Sequence, residues 1–210
     1  MPEALLPIFP LQLVLLPAAS LPLHIFEDRY KEMIGEAVRD RTEFGVVQAG
    51  EKGILNIGCT ATVEQVVNRY PDGRLDIMTQ GRRRFEIDLL NQEKAYLRAA
   101  VSFFDDEEAE AAPLDLKALA IAGYRALQSD DDSASDPPGY DDPQLSFKVA
   151  ALITDLPFQQ LMLAIRSETE RLKRLAEFLP QHVIKLKRKA HAQAVAPRNG
   201  HGYMNIGEEV

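Results

Sequence analysis

Residues 7–34, PIFPLQLVLLPAASLPLHIFEDRYKEMI, decide how this chain folds. An apolar run broken by prolines passes at Phe26 into a segment where Tyr30, Met33, Ile34, Ala37 and Val38 recur at three- and four-residue steps, the period of one helical face. That spacing predicts a helix over residues 27–38, and Glu27 and Asp28 at its start suit the positive end of the helix dipole. Upstream, Pro7, Pro10 and Pro17 interrupt the run before it can act as a signal core or a membrane span, and no basic region precedes it. The expected location is therefore cytoplasmic.

Working outward, residues 44–104 change period. Short runs alternate or carry branched residues between Gly-containing turns, which predicts antiparallel strands. Phe85, Ile87 and Leu89 are expected on one face of such a strand, with Arg84, Glu86 and Asp88 on the other. Asp72-Gly73 accepts positive φ and predicts a tight hairpin. Strands of this kind, with one helix inserted early, would close as a small barrel or strongly bent sheet. Beyond the acidic residues 105–110 the period turns helical, with Leu114, Leu116, Leu119, Ala120, Ala122, Gly123 and Leu127 as the expected inward face. Gly123 weakens that helix by about 1 kcal/mol relative to Ala. Residues 129–143, SDDDSASDPPGYDDP, predict a solvated loop. Leu145, Val149, Leu152 and Ile153 restore a helical stripe, residues 154–157 a break, and residues 158–166 a further helix. Ser167 is positioned to cap a final helix striped by Leu172, Leu175, Leu179, Val183 and Leu186. Pro180 lies within that stripe and predicts a kink or restart, since proline costs a helix interior about 3 kcal/mol. The organisation expected is a β-rich unit over residues 1–110, a helical unit over 111–196 and a flexible tail over 197–210, an α+β protein.

The blocks FPL at 9–11, LPLHIFE at 21–27, Arg29-Tyr30, FGVV at 44–47, GCTATVEQV at 58–66, PDGRLDI at 71–77 and GRRRFEI at 81–87 follow one another in an order that resembles the substrate-recognition (N-terminal) domain of Lon proteases. The resemblance implies a PUA-like β-barrel followed by an all-helical part ending in a long helix. It also implies that Phe9, Leu11, His24, Phe26, Glu27, Arg29, Tyr30, Gly58, Asp72, Gly73, Gly81, Arg84 and Phe85 are structural positions of that fold. Arg29 would pair with a barrel carboxylate while Tyr30 packs beneath. The helical half shares only a pattern with the family, and Pro180 and the Asp-rich loop depart from it.

Composition and missing motifs narrow the function. A net charge of −8 disfavours a general attraction to nucleic acid or anionic membrane and favours protein partners. A single cysteine, Cys59, excludes an intrachain disulfide and any multi-cysteine zinc site; it reads as a buried small hydrophobe. The Asp-rich loop lacks the spacing of a calcium-binding loop, the histidines form no HExxH pair, and no cofactor or metal is expected. No glycine is followed by lysine, so a phosphate-binding GKS or GKT loop is absent, and no serine sits in a Gly-x-Ser-x-Gly context. Against the family pattern, this predicts a stand-alone domain without ATPase or Ser-Lys peptidase modules, and not an enzyme. His24 between Leu23 and Ile25 is expected to cap or hydrogen-bond the strand-to-helix turn.

The function that follows from the resemblance is a recognition or adaptor module for protein segments, including unfolded or hydrophobic peptides. A shallow apolar groove between barrel and helices would hold them, with Leu15, Leu16 and Pro17 on one side and Tyr140 and Phe158 on the other. Two alternatives belong to other classes. One is nucleic-acid binding through Arg82–Arg84 or through Lys185, Lys187, Arg188 and Lys189. The other is a small-molecule enzyme with its site near His24 or Arg82–Arg84. No motif specifies an oligomeric state.

Overall fold

The computed structural model describes residues 5–51, 53–107, 111–128 and 137–195. In chain order the elements are β1 (Leu6–Leu11), β2 (Ser20–Ile25), α1 (Asp28–Asp40), β3 (Phe44–Gly50), β4 (Gly53–Arg69), β5 (Leu75–Asn91) and β6 (Leu97–Phe104). The helices α2 (Leu114–Leu127), α3 (Leu145–Ala151), α4 (Leu156–Ala164) and α5 (Glu168–Val195) follow. The sheet order is β2-β5-β4-β3-β1-β6, and β6 returns to pair with β5, so five strands close on themselves. Closure depends on the length of β5. Its residues 75–80 pair with β2 and its residues 84–91 pair with β6. The β3–β4, β4–β5 and β5–β6 ladders are antiparallel as the alternation predicts, but β1 runs parallel to β3. That pairing joins strands separated by the whole of α1, so local alternation carries no sign of it.

Two apolar clusters lie on opposite faces of the barrel wall. Ile8, Val47, Phe85 and Ala99 fill the inside. Gly58 makes room for Phe85, because a Cβ there would stand 2.6 Å from the ring's Cζ and 2.5 Å from the Val46 carbonyl oxygen. Outside, one continuous cluster joins Phe9, Met33, Ile34 and Phe44 to Leu145, Ile153, Met162 and Leu172 of the helices. Helix α1 buries Tyr30, Met33, Ile34 and Ala37, the stripe expected of it. The hairpin at Asp72-Gly73 holds Gly73 at φ 85°, where a side chain would be strained.

The segment between β1 and β2 docks on β5 at Gly81. Ala18 donates its N–H to the Gly81 carbonyl and Gly81 donates to the Ala19 carbonyl, both at 2.9 Å. Helices and barrel are joined by an ionic cluster. Fully buried Arg171 donates from Nη1 and Nη2 to the two Asp106 oxygens at 2.7 and 2.6 Å, and from Nε to Ser146 Oγ at 2.8 Å. Its Nη2 also reaches Glu168 Oε2 at 2.7 Å. Arg84 from β5 donates to Asp106 Oδ1 at 2.7 Å and to the Ile165 carbonyl at 2.6 Å.

On β5, Phe85 and Ile87 share the inner apolar cluster and Arg84 turns the other way, as expected, whereas Leu89 departs from that face. Arg84 is 5% exposed while Leu89 is 70% exposed. A register shift between Ile87 and Leu89 breaks the alternation, and two carboxylates offset the desolvation of the two guanidiniums. The inward face of α2 also differs from expectation. Ala120, Ile121, Gly123 and Tyr124 are buried, whereas Leu114, Leu119 and Ala122 are exposed. Helix α2 turns its smallest residue toward α5, where a Cβ on Gly123 would come within 2.4 Å of Leu179 Cδ1. Helix α4 starts at Leu156, two residues earlier than expected, because Asp155 accepts from the Phe158 N–H and Pro157 is tolerated in the first turn. Ser167 Oγ accepts from the Glu170 N–H as a cap for α5 should. That helix does not restart at Pro180 but continues to Val195. Proline forfeits one bond to the Ala176 carbonyl, and buried Leu172, Leu175 and Leu179 anchor the preceding turns. The Asp-rich residues 129–136 and the tail over 197–210 lie outside the described residues.

Candidate functional site

The barrel wall has a gap at the end where β1 and β2 leave it. Strand β1 pairs with β6 only over residues 6–8 and with β3 over residues 8–11. Strand β2 pairs with β5 alone. No ladder joins β1 to β2, and a groove of about 510 Å³ opens between them. Residues 9–12 form one wall, residues 23–25 the other, and Phe26, Glu27, Arg29 and Tyr30 close the end at the start of α1. Tyr30 lies beneath Phe9 with ring centroids 4.2 Å apart. Burial pushes the Tyr30 hydroxyl pKa up, against the lowering influence of Arg29. Phe26 stands at the mouth, 59% exposed. A ring that large, left more than half in water on a short β-to-α connection, is the kind of anchor a partner would cover.

The charges around the groove are paired within it. Arg29 donates to Glu27 Oε2 at 2.8 Å and its guanidinium lies 4.5 Å from the centre of the Tyr30 ring. It therefore pairs with its own helix start and not with a barrel carboxylate, because residue 27 is the nearest acid its side chain reaches. His24 Nδ1 lies 2.6 Å from Asp76 Oδ1 across the β2–β5 ladder, and Tyr70 donates its hydroxyl to Asp76 Oδ2 at 2.7 Å. The hydrogen bond from His24, then that from Tyr70, holds the Asp76 carboxyl below the usual carboxylate range. His24 thus tethers β2 to β5 and does not cap the turn, since alternation on β2 aims its ring along the ladder toward its partner at residue 76. Its ring also stacks on Phe26, centroids 5.9 Å apart. Among the described residues no hydroxyl or thiol side chain is hydrogen-bonded to His24.

The residues expected to line a peptide groove are not gathered into one. Leu15, Leu16 and Pro17 are buried where their segment docks over Gly81, and Phe158 is buried against Phe178 with rings 3.9 Å apart. Tyr140 alone of these five is exposed, at 48%. Instead, seven of the positions taken as structural (Phe9, Leu11, His24, Phe26, Glu27, Arg29 and Tyr30) converge on the gap between β1 and β2. The available sequence signal was Phe26, a large aromatic directly preceding a charged helix start.

Arg82, Arg83 and Arg84 do not form one basic patch. Arg82 pairs with Glu64 and Arg83 with Glu43, while Arg84 is buried with Asp106. Successive residues of β5 point to opposite faces, and each finds a different acid. Lys185, Lys187, Arg188 and Lys189 are exposed near the end of α5. Cys59 is buried, and burial drives its thiol up to about 12, so no thiolate forms near neutral pH. Among the described residues no cluster of His, Cys, Asp or Glu could hold a metal ion, and no helix is long and apolar enough to cross a membrane.

Residues 5–181 match the family of the ATP-dependent protease La (LON) substrate-binding domain. A Lon protease of Anaeromyxobacter dehalogenans is 34% identical over 131 residues, which cover 56% of this chain and 16% of that protease. A Lon protease of Parabacteroides distasonis is 29% identical over 123 residues, covering 54% of this chain and 15% of its own length. The chain thus spans about a sixth of the curated relatives it matches. Among solved structures, a Lon N-terminal domain protein from Xanthomonas campestris aligns with TM-score 0.70 at 23% identity, over 85% of this chain and all of that one. The N-terminal domain of the Mycobacterium avium complex Lon protease aligns with TM-score 0.59 at 19% identity, again over 85% of this chain and all of the other. These two likenesses concern the fold.

Proposed function

The chain belongs to the family of LON substrate-binding domains, and from that premise we propose that it is a non-catalytic recognition module that captures unfolded or hydrophobic protein segments in the groove between β1, β2 and α1. The observation that carries this reading is the exposed Phe26 at the mouth of a groove whose floor is the Phe9–Tyr30 pair. Captured apolar side chains would cover Phe26 and leave water themselves, a gain of about 1.5–3 kcal/mol for each large side chain buried. Because the rim charges are matched locally, such binding depends little on ionic strength.

Titrating the protein into a fluorescent, permanently unfolded polypeptide at low and high salt, with the native form of that polypeptide as control, tests the proposal. Saturable binding to the unfolded form alone, unchanged by salt and weakened at least tenfold in Phe26→Ser, is the expected result. Affinity that collapses with salt would point instead to phosphate-like recognition by the cations near the end of α5. Equal binding by the parent and Phe26→Ser would remove the groove from the mechanism.

A further inference from the structure

We infer that the outer groove between α2 and α5 is a second interaction surface, separate from the one at Phe26, and that it takes an acidic amphipathic helix of a partner protein. The two helices meet at Gly123, where the lack of a side chain admits Leu179, and a groove of about 250 Å³ runs along their shared outer side. Gly123 and Leu179, both buried, form its floor, and Leu119, Ala122, Pro180 and Val183 its walls. Leu119 is 54% exposed, a large apolar side chain facing water at the groove's edge.

On α5 the apolar surface outruns the packed body. Leu172, Leu175 and Leu179 are buried, but Leu186, two turns beyond Leu179 on the same face, is exposed, as is Ile184 one turn beyond Pro180. The same turns carry Lys185, Lys187, Arg188 and Lys189, all exposed, and residues 178–195 include no acid. Elsewhere the surface arginines have carboxylates, as in Arg82–Glu64, Arg83–Glu43 and Arg174–Glu170. Among the described residues these four cations have none. They lie in a chain of net charge −8 and beyond residue 181, where the match to the family ends.

The occupant's chemistry follows from the apolar groove and the unmatched cations together. Helices α2 and α5 spend their backbone groups on their own ladders, so an extended chain in the groove would find no row of donors and acceptors, whereas a helix arrives with its own bonds made. Apolar residues at three- and four-residue spacing would cover Leu119, Val183 and Ile184. Carboxylates beside them would meet Lys187 and Arg188, one turn beyond Val183 and Ile184. A second copy of this chain fits badly, because a two-fold contact sets the same cationic turns against each other. A nucleic-acid strand would engage the cations and leave the groove uncovered.

The test uses a labelled synthetic helical peptide with Leu and Ala on one face and Glu flanking it, and a counterpart with Lys in place of Glu, titrated against the full chain by fluorescence anisotropy. The Glu peptide should bind saturably, more weakly as salt rises, and at least tenfold better than the Lys peptide. Ala122→Gln, which fills the groove from an exposed position, should weaken it at least tenfold, and Phe26→Ser should leave it unchanged. Replacing all four cations, Lys185→Glu, Lys187→Glu, Arg188→Glu and Lys189→Glu, should reverse the preference to the Lys peptide, with circular dichroism confirming the fold. No binding of the Glu peptide, or binding lost in Phe26→Ser, would overturn the inference. So would a dimer, seen by sedimentation of the chain alone, that Ala122→Gln dissociates, since a second copy would then cover this face. Binding of a single-stranded oligonucleotide, lost in the four-cation variant and unchanged in Ala122→Gln, would assign the cations to phosphate and overturn it as well.

Discussion

Replacing Gly81, Gly35 and Gly123 one at a time by alanine should move stability in different directions, although the chemical change is the same. At Gly81 the new Cβ would lie 2.2 Å from the Leu16 carbonyl oxygen, 3.1 Å from its carbonyl carbon and 3.2 Å from Leu15 Cγ. Backbone atoms cannot rotate aside, so the segment over β5 has to retreat by about 1 Å to restore ordinary contact. That movement loosens two hydrogen bonds of 2.9 Å, those between Gly81 and residues 18 and 19, each worth about 1 kcal/mol. It also partly exposes Leu15 and Leu16, 3% and 1% exposed in the native chain. Overpacking of this kind costs about 1–3 kcal/mol on its own. A gain of about 0.4–1 kcal/mol from restricting the unfolded chain offsets a fraction. The net expectation is a loss of about 2–4 kcal/mol.

Gly35 is exposed on α1 and a Cβ there meets nothing within 4 Å, so alanine should stabilise by about 1 kcal/mol through helix propensity alone. Gly123 falls between them. Its Cβ would stand 2.4 Å from Leu179 Cδ1, the movable end of a side chain, and the helical gain and repacking cost should cancel to within about 1 kcal/mol. Urea unfolding followed by circular dichroism, with a common m-value, gives the three differences as shifts in midpoint. If Gly81→Ala were as stable as the parent, the docking of residues 15–19 on β5 would be refuted. If Gly35→Ala were destabilising, so would be the open helix face.

Arg171→Met should cost about 3–5 kcal/mol, because it leaves Asp106 and Glu168 partly buried without their shared cation; thermal unfolding of the variant against the parent measures it, and a loss under about 1 kcal/mol would mean the ionic cluster does not lock the helices to the barrel. Acid should destabilise the protein. Burial works against the charge on Asp106, yet Arg171 and Arg84 hold its pKa below the ordinary value, and Asp76 is held down by His24 and Tyr70. Depressed folded-state values mean that this stability is fully present above the unfolded value of about 4 and is lost as pH falls through the folded values. A melting temperature flat from neutral pH to about pH 5 and falling below about pH 4 is expected, whereas a rise on acidification would contradict it. Cys59 should resist a thiol reagent in the native state and react only on unfolding, and rapid labelling of the folded protein would contradict its burial and raised thiol pKa.

Periodicity made the local elements legible where one face dominates. Helix α1 follows from Tyr30, Met33, Ile34 and Ala37 because a single apolar stripe has one way to turn inward. The hairpin at Asp72-Gly73 follows from the φ that only such a pair supplies without strain. The buried side of α2 is not legible in its sequence, which is apolar nearly all round, because spacing alone does not say which side is wet. The burial of Arg84 has no local sign, because its partners Asp106 and Arg171 come from other parts of the chain. The restart expected at Pro180 does not occur, because the buried turns that precede it outweigh the local cost of proline.

By itself the sequence determined the element types, their order, the class of the protein and its family, since these depend on local periods, turn residues and short ordered blocks. Tertiary structure alone decided that β1 runs parallel to β3, that β5 is shared between β2 and β6, and that a gap is consequently left between β1 and β2. The physical reason is that strand pairing and burial are relations between residues far apart in sequence. The groove at Phe26 exists because of a ladder that does not form, and a missing pairing leaves no mark on the residues nearby.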